Sequence, residues 1–160
     1  MPRIRIWFKY WFPVVIWMAL IYSASADRKS VAHSRLIGPL LRWLFPSISD
    51  DVVDLAVMGV RKAAHLAEYA VLGWLLWRAL RKPVRRDPRP WSWRTAGWAL
   101  GGVALYASSD EIHQIFVPGR TAAVHDVVID VTGAAAGLLI LWGLGCWRGA
   151  WGREAAQSRG

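Results

Sequence analysis

Cysteine is nearly absent from this sequence, since Cys146 is the only one among 160 residues. A single cysteine excludes an internal disulfide bond. Cys146 itself lies in an apolar run, where we expect a small, buried hydrophobic side chain. The chain is also too short for two domains with separate cores. The sequence therefore predicts one domain, residues 1–150, followed by a basic cytoplasmic tail, residues 151–160.

Lysine and arginine do not form a stripe along one soluble face, although the formal net charge is +9. They occur in blocks between apolar runs, which is typical of the cytoplasmic flanks of membrane proteins and not of nucleic-acid-binding domains. The composition agrees, because 55% of the residues are hydrophobic and 12 are Trp, which concentrates near lipid headgroups. We therefore expect membrane lipids as partners and no nucleic acid. The blocks comprise Arg3, Arg5, Lys9, Arg78, Arg81, Lys82, Arg85, Arg86, Arg89, Arg94, Arg148, Arg153 and Arg159.

Four apolar segments approach the ~20 residues that an α-helix needs to cross the hydrocarbon core of a membrane. They comprise residues 6–23, 62–80, 93–109 and 122–147. The first segment has an alternative interpretation, because its basic start, apolar middle and Ala24-Ser25-Ala26 resemble a signal peptide with its cleavage site. Its tryptophans and Pro13 argue against that interpretation. The sequence thus predicts an all-α transmembrane bundle of about four spans.

Two shorter stretches separate the first span from the second. Residues 36–45 are too interrupted to cross a membrane, and they predict either a short extracytoplasmic interfacial helix or a loop with one helical turn. Residues 51–59 predict an amphipathic helix or an extension of the second span. Both termini and residues 81–94 carry most of the basic side chains. We therefore expect a multi-pass bacterial cell-membrane protein with both termini in the cytoplasm.

Ionisable residues gather at the non-cytoplasmic ends of three spans. The second span enters the membrane there, the third leaves and the fourth re-enters, so the topology alone brings their polar residues to one depth. A carboxylate at that depth is costly unless it meets a cation, a donor or water, and it should face the bundle interior. The candidate catalytic residues are His65, Glu68, Asp110, Glu111, His113, Asp126 and Asp130. The candidate substrate-binding residues are Lys62, Tyr69, Gln114 and Arg120.

The fourth span also contains a series of small residues. Glycine lets a neighbouring helix backbone approach closely, so this face is expected to pack against another span. The glycines are Gly133, Gly137, Gly143 and Gly145.

Three motifs carry a resemblance to a known family. They are Lys62-x-x-His65-x-x-Glu68-Tyr69-x-x-Leu72-Gly73, Ser109-Asp110-Glu111-x-His113-Gln114-x-x-x-Pro118-Gly119-Arg120 and Asp126-x-x-x-Asp130-x-x-Gly133. With these motifs the sequence resembles the VanZ-like family of bacterial membrane proteins over about residues 7–145. The resemblance implies that the candidate residues are the functional positions. It also implies a link to low-level teicoplanin resistance and a first span that remains part of the domain.

Three classes of function fit these residues. The first is recognition of a lipid headgroup, a lipid-linked cell-wall precursor or a glycopeptide in an outward-facing polar pocket, with the resistance role that the resemblance implies. The second is a membrane-embedded hydrolase or phosphotransferase acting on a lipid-linked substrate. In that case His113 or His65 would be the base, and Arg120 with Lys62 would hold a phosphate. The third is a purely structural polar network or a small transporter.

A divalent metal ion is a further hypothesis. Zn²⁺ or Mn²⁺ would use His65-x-x-Glu68 together with Asp110, His113 and Asp126. The ligand spacing is looser than in established zinc motifs, so the sequence assigns no cofactor. It also leaves the oligomeric state open.

Overall fold

The structure, a computed structural model, describes residues 2–26, 31–83, 87, 89–115 and 124–151. Within these ranges the chain forms five α-helices and no strand. The prediction of an all-α fold is therefore confirmed. The helices are α1 (Pro2–Ala26), α2 (Val31–Leu44), α3 (Asp50–Arg81), α4 (Trp93–Ile115) and α5 (Val124–Trp147).

The segment between the first two long helices is more helical than predicted. α2 is a helix of 14 residues with Gly38 and Pro39 inside it, so the alternative of a loop with one helical turn is wrong. The stretch 51–59 belongs to α3, which runs without interruption for 32 residues from its first-turn residues Asp50 and Asp51. Those acids complement the positive end of the helix dipole.

Local residues explain why α3 ends and α4 begins where they do. Lys82 adopts the left-handed conformation with a φ of 48°, and its N–H donates to the Arg78 carbonyl at 2.9 Å. Pro83 follows and cannot continue the helix. At the start of α4, Ser92 Oγ accepts a hydrogen bond from the Thr95 N–H at 3.2 Å. Such a side-chain cap satisfies one of the free amides of a helix N-terminus.

α4 continues six residues beyond the predicted end of the third span. The polar residues Asp110, Glu111 and His113 lie in its last turns and not in the loop that follows. Side-chain polarity alone does not end a helix, because the backbone hydrogen bonds are made within the helix. The first helix breaker in the sequence after Ser109 is Pro118, which lies outside the described residues.

α3 lies at the centre of the bundle, since it contacts α1, α2, α4 and α5. α1 packs against α3 and α4 on one side, and α5 packs against the same two helices on another. Because α1 contributes buried side chains to the core, it is an integral part of this bundle. The core residues are Tyr10, Val14, Ile21, Tyr69, Leu72, Leu75, Ala79, Val103, Ala107 and Ala134.

α1 runs antiparallel to α3. Near the start of α1, the Tyr10 hydroxyl donates to the Pro83 carbonyl at 2.6 Å, just past the end of α3. Further along α1, Trp17 Nε1 donates to the Glu68 carbonyl at 2.9 Å. The order of the contacts along α1 is thus the reverse of their order along α3.

α1 runs parallel to α4. The Tyr106 hydroxyl donates to the Met18 carbonyl at 2.6 Å. Further along both helices, one turn later on α1 and about two turns later on α4, the Tyr22 hydroxyl lies 3.3 Å from His113 Nδ1. The two contacts follow the same order along both helices.

α3 and α5 are also parallel, and glycines bring their backbones together. A Cβ on Gly133 would lie 2.5 Å from the Leu66 carbonyl oxygen, and a Cβ on Gly137 would lie 2.8 Å from Ala70 Cβ. These two glycines act as predicted. Gly143 has nothing within 4 Å of an added Cβ in the described chain, so the prediction is wrong for that position.

The helix directions give the bundle two chemically different ends. The basic end holds the start of α1, the end of α3, the start of α4 and the end of α5. The acidic end holds the opposite termini of these four helices, and it carries Glu68, Asp110, Glu111, Asp126 and Asp130.

A compact group of aromatic and charged residues closes the basic end. Arg81 is 7% exposed; its Nε lies 3.1 Å from Asp87 Oδ2, and its Nη1 donates to the Pro90 carbonyl at 2.8 Å. Its guanidinium carbon is 5.3 Å from the centroid of one Trp77 ring and 5.5 Å from that of Trp151. We call Trp77, Arg81, Asp87, Trp91 and Trp151 the arginine–tryptophan clamp.

The residues after α5 complete the clamp. The ring of Trp151 packs so closely on Gly145 that an added Cβ there would overlap it. Trp151 Nε1 also donates to the Trp142 carbonyl at 2.8 Å. Cys146, next to this contact, is exposed, so the prediction of a buried cysteine is wrong.

Within the described ranges, two helices are long and apolar enough to cross a membrane: residues Ile4–Ser23 of α1 and Val124–Trp147 of α5. α3 and α4 are long enough, but their polar residues keep them outside this group. Both apolar helices expose large hydrophobic side chains on the outside of the bundle, as do the others. Broad exposed apolar surface is typical of contact with lipid or with another protein.

Candidate polar site

Three helices each contribute buried polar side chains to the acidic end. α3 supplies Tyr69, α4 supplies Asp110 and Glu111, and α5 supplies Asp130. The exposed fractions of these residues are 1%, 5%, 8% and 6%. We call these four residues the polar cluster. Their burial is unusual, because ionisable residues are rarely buried unless their surroundings compensate them.

Asp130 lies at the centre of the polar cluster. Its carboxylate interacts with the Tyr69 hydroxyl and with the carboxylates of Glu111 and Asp110. The Tyr69 hydroxyl lies close to Asp130 and Asp110 in turn. Its contact with Asp130 falls outside strict hydrogen-bonding geometry, although the two groups are close enough to interact. The cluster therefore presents one buried hydroxyl amid three carboxyl groups.

The close packing of α3 on α5 sets this arrangement. An added Cβ on Gly73 would lie 3.0 Å from Ala134 Cβ, and these two residues lie one turn after Tyr69 and Asp130 on the parallel helices α3 and α5. Residues four apart share a helix face. The Gly73–Ala134 contact therefore brings Asp130 and Tyr69 to the same level of the interface.

Asp126 lies at the rim of the polar cluster. Its side chain is 43% exposed, one turn before Asp130, and its carboxylate lies 3.1 Å from His125 Nε2. It also interacts with Asp130. The predicted pair of carboxylates one turn apart is thus present, with one buried and one half-exposed member.

The two predicted catalytic histidines each have a different partner. His65 Nδ1 lies 3.7 Å from Glu68 Oε2, on α3 itself. His113 stacks against Tyr22 with ring centroids 4.5 Å apart, next to the 3.3 Å contact with its hydroxyl. An imidazole beside a carboxylate is the usual arrangement of a general base, and of these two histidines His65 shows it.

The structure does not bring the predicted cationic residues Lys62 and Arg120 together within its described ranges. Lys62 is exposed on α3, and no described carboxylate forms an ion pair with it. Arg120 lies outside the described residues, as does the side chain of Gln114. The hypothesis that Arg120 and Lys62 hold a phosphate therefore stays a prediction.

The hypothetical metal ligands are not brought together. The described residues contain no group of three or more His, Cys, Asp or Glu side chains that could hold a metal ion. His65 and Glu68 form one pair, whereas His113 contacts a tyrosine.

Two tyrosines beside the site were not singled out as site residues from the sequence. Tyr106 lies one turn before Asp110 on α4, and its ring centroid is 6.3 Å from that of Tyr69. Tyr22 reaches His113 from α1. The i,i+4 spacing of Tyr106 and Asp110 was a usable signal, because such residues share a helix face. The Tyr22 contact joins helices far apart in sequence, and no local pattern predicts it.

Comparison with known proteins gives one family. The model of the VanZ/LLP1 family matches residues 10–146. Neither the curated proteins nor the solved structures contain a match to the chain. The matched region includes most of α1, nearly all of α5, the three helices between them and all three sequence motifs. With the two apolar helices it indicates a membrane protein. The chain belongs to the VanZ/LLP1 family.

Proposed function

We propose that the chain is a four-span protein of the bacterial cell membrane, with α1, α3, α4 and α5 as the spans and both termini in the cytoplasm. Three observations support this. The four helices alternate in direction, as successive spans must. Their outer faces expose large apolar side chains. The basic residues concentrate at one end, which the positive-inside rule assigns to the cytoplasm.

In this arrangement α2 lies on the extracytoplasmic side. At ~1.5 Å per residue, α3 is about 48 Å long, whereas the hydrocarbon core is about 30 Å thick. Its first turns would therefore extend out of the membrane. There Arg42 of α2 pairs with Asp50 of α3 at 2.7 Å, and a Cβ on Gly38 would meet Val53 at 3.5 Å. α2 would rest in the interface as a short amphipathic helix.

We further propose that the polar cluster binds the headgroup of an envelope lipid or of a lipid-linked cell-wall precursor. The observation that carries this is the burial of Tyr69, Asp110, Glu111 and Asp130 together at the end assigned to the outside. Carboxylates accept hydrogen bonds, and they bind hydroxyl or amine donors strongly in a low-dielectric site. Sugar hydroxyls and amino groups of a headgroup are donors of this kind. The link to teicoplanin resistance comes from the family resemblance.

The experiment compares two bacterial strains that differ only in this protein. We expect the strain with the protein to tolerate more teicoplanin, and the purified protein to carry a headgroup-bearing lipid that mass spectrometry identifies. Asp110→Asn should abolish both effects, because it removes an acceptor charge from the polar cluster. Asp51→Asn is the matched control, since Asp51 is an exposed acid in the first turn of α3.

The possible outcomes separate the classes of function. If Asp110→Asn folds and inserts but leaves the bound lipid unchanged, the polar cluster is not the binding site. If Asp110→Asn instead lowers expression and thermal stability while Asp51→Asn does not, the cluster is a structural network.

A membrane-embedded enzyme is the second candidate, and the His65–Glu68 contact favours it. Glu68 would orient the imidazole, and His65 would accept a proton from water or a hydroxyl in the reaction of a lipid-linked substrate. Lipid analysis of the two strains tests this, because an enzyme changes the chemistry of an envelope lipid. His65→Gln would abolish that change. An unchanged lipid profile would contradict the enzyme and leave the binding proposal standing.

A further inference from the structure

Two cationic side chains from different helices meet at one tyrosine of the basic end. Lys9 Nζ, on α1, lies 5.2 Å from the centroid of the Tyr10 ring. The guanidinium carbon of Arg78, on α3, lies 5.1 Å from the same centroid. Tyr10 is 5% exposed, and its bond to the Pro83 carbonyl fixes the ring between the two helices. We call Lys9, Tyr10 and Arg78 the cation pair site.

No described carboxylate compensates these two charges. Lys9 and Arg78 form no ion pair within the described ranges. Arg81, less than one turn along α3 from Arg78, is paired with the nearly buried Asp87. Arg78 has instead one long hydrogen bond, 3.4 Å, from Nη2 to the Lys9 carbonyl. Each charge lies about 5 Å from the same ring centroid, so the two are at most about 10 Å apart and repel each other. An anionic headgroup that reaches both would reduce that repulsion.

The surroundings of the cation pair site fit an amphiphilic anion. Lys9 lies within the apolar segment Ile4–Ser23 of α1. Phe8 and Phe12 flank it on that helix, are 53% and 50% exposed, and have ring centroids 6.1 Å apart. A charged head against Lys9 and Arg78 would therefore have apolar surface directly beside it for a hydrocarbon chain. A free inorganic anion would use only the charges.

Simple snorkelling does not account for this geometry. A lone lysine or arginine near the end of a span extends its charge towards the headgroups and needs no second cation beside it. Here Lys9 and Arg78, which are 69 positions apart in the sequence and lie on different helices, both contact the buried ring of Tyr10. The convergence defines a place between α1 and α3, and not merely a basic rim.

We propose that Lys9 and Arg78, separated by Tyr10, bind the phosphate of an anionic phospholipid in the cytoplasmic leaflet. Basic sites between membrane helices on the cytoplasmic side recognise such headgroups. The site lies at the opposite end of the bundle from the polar cluster. It rests on the proposed membrane arrangement, and not on what the polar cluster binds.

The test uses the full chain in nanodiscs of phosphatidylcholine with a rising fraction of phosphatidylglycerol. Native mass spectrometry counts the phosphatidylglycerol that the protein retains. We expect selective retention by the wild type, and a loss of about thirty-fold in the double variant Lys9→Gln, Arg78→Gln, or about five-fold for each charge removed. The matched control is Arg5→Gln, Arg148→Gln, which removes two exposed positive charges and should retain the lipid. The charge-keeping variant Lys9→Arg, Arg78→Lys should also retain it.

Other outcomes overturn the proposal in distinguishable ways. An equal loss in the control would show general electrostatic attraction to the membrane and no site. Displacement of the lipid by an equal concentration of inorganic phosphate would show a site for the free anion. A protein that enters the nanodisc but prefers neither lipid contradicts the cation pair site alone. A protein that does not enter the nanodisc contradicts the proposed spans as well.

Discussion

The two ends of the bundle bury charge in opposite ways. In the arginine–tryptophan clamp, the Arg81 guanidinium meets Asp87, two backbone carbonyls and the faces of two indole rings. An opposite charge and hydrogen-bond acceptors surround it, so its burial ties Asp87, Arg89, Pro90 and Trp151 to α3. Removing one partner of a buried ion pair of this kind strongly destabilises the fold, because the other charge stays buried without compensation.

At the acidic end, several carboxyl groups are buried next to one another. Asp110 and Glu111 of α4 and Asp130 of α5 gather around Tyr69 of α3. Burying carboxyl groups costs more free energy than burying apolar residues of similar size. The Arg81 contacts of the clamp stabilise the fold, whereas the role we propose for the polar cluster is to bind a ligand. The following changes should separate the two ends.

Arg81→Ala should have the largest effect on stability. It would leave Asp87 with one of its two arginines and remove the side chain that fills the space between Trp77 and Trp151. Breaking a buried pair in this way costs about 3–5 kcal/mol. Thermal unfolding in detergent measures it. Arg94→Ala, an exposed arginine near the same end, is the control and should change stability by less than about 0.5 kcal/mol. Equal effects would contradict the clamp.

Acidification should weaken the clamp next. Hydrogen bonds from Arg89, and then from Arg81, hold the pKa of Asp87 well below its ordinary value. With a lowered pKa in the folded state, the stabilising contribution is complete above the unfolded-state pKa of about 4, and it is lost as the pH falls towards the folded-state value. As the pH is lowered through this range, the unfolding temperature of the wild type should therefore fall more than that of Asp87→Asn. Parallel pH profiles of the two proteins would show that the Asp87 carboxylate does not stabilise the clamp.

Gly133→Ala should have an intermediate effect. Its Cβ would meet the α3 backbone at Leu66, so α5 would have to move away from α3 and separate Asp130 from Tyr69. Overpacking of this kind costs about 1–3 kcal/mol. Gly143→Ala is the matched control, because its Cβ meets nothing and alanine favours the helix by up to about 1 kcal/mol. A stable Gly133→Ala variant that still binds its lipid would show that this contact does not position the site.

Asp130→Asn should have the smallest effect on stability and a large one on binding. It removes one of several like charges while keeping the side-chain shape, so stability should stay equal or rise by about 1 kcal/mol. Binding of the headgroup should be lost. Unfolding temperature and lipid co-purification measure the two effects on one sample. A marked loss of stability would assign the polar cluster a structural role like that of the clamp.

Much of the helical framework could be predicted from the sequence. The apolar runs between basic blocks locate α1, α4 and α5, because a helix in lipid must be both long and apolar. The small residues Gly133 and Gly137 also predicted a close helix contact, because residues without bulky side chains let two helix backbones approach. Polar content was the misleading signal: it ended the third span at Ser109, whereas α4 continues to Ile115.

Partner choice inside the site depended on tertiary packing and could not be predicted. The topology brought Asp110, Glu111 and Asp130 to one end, but helix rotation decides which side chains meet. That rotation turned His113 towards Tyr22 and placed Tyr106 beside Tyr69. The clamp was missed because Arg81 and Asp87 both lie in a basic stretch that looked uniformly exposed. Only the fold reveals that two of its charges are nearly buried.

Thiol labelling of intact cells tests the central claim most directly, namely that the acidic end faces outwards and the basic end faces the cytoplasm. In a Cys146→Ser background, single cysteines replace the exposed residues Val124, at the acidic end, and Ala150, at the basic end. The account predicts that a membrane-impermeant maleimide labels Val124→Cys in intact cells and Ala150→Cys only after the membrane is opened. Labelling in the reverse order, or of both positions in intact cells, would contradict it.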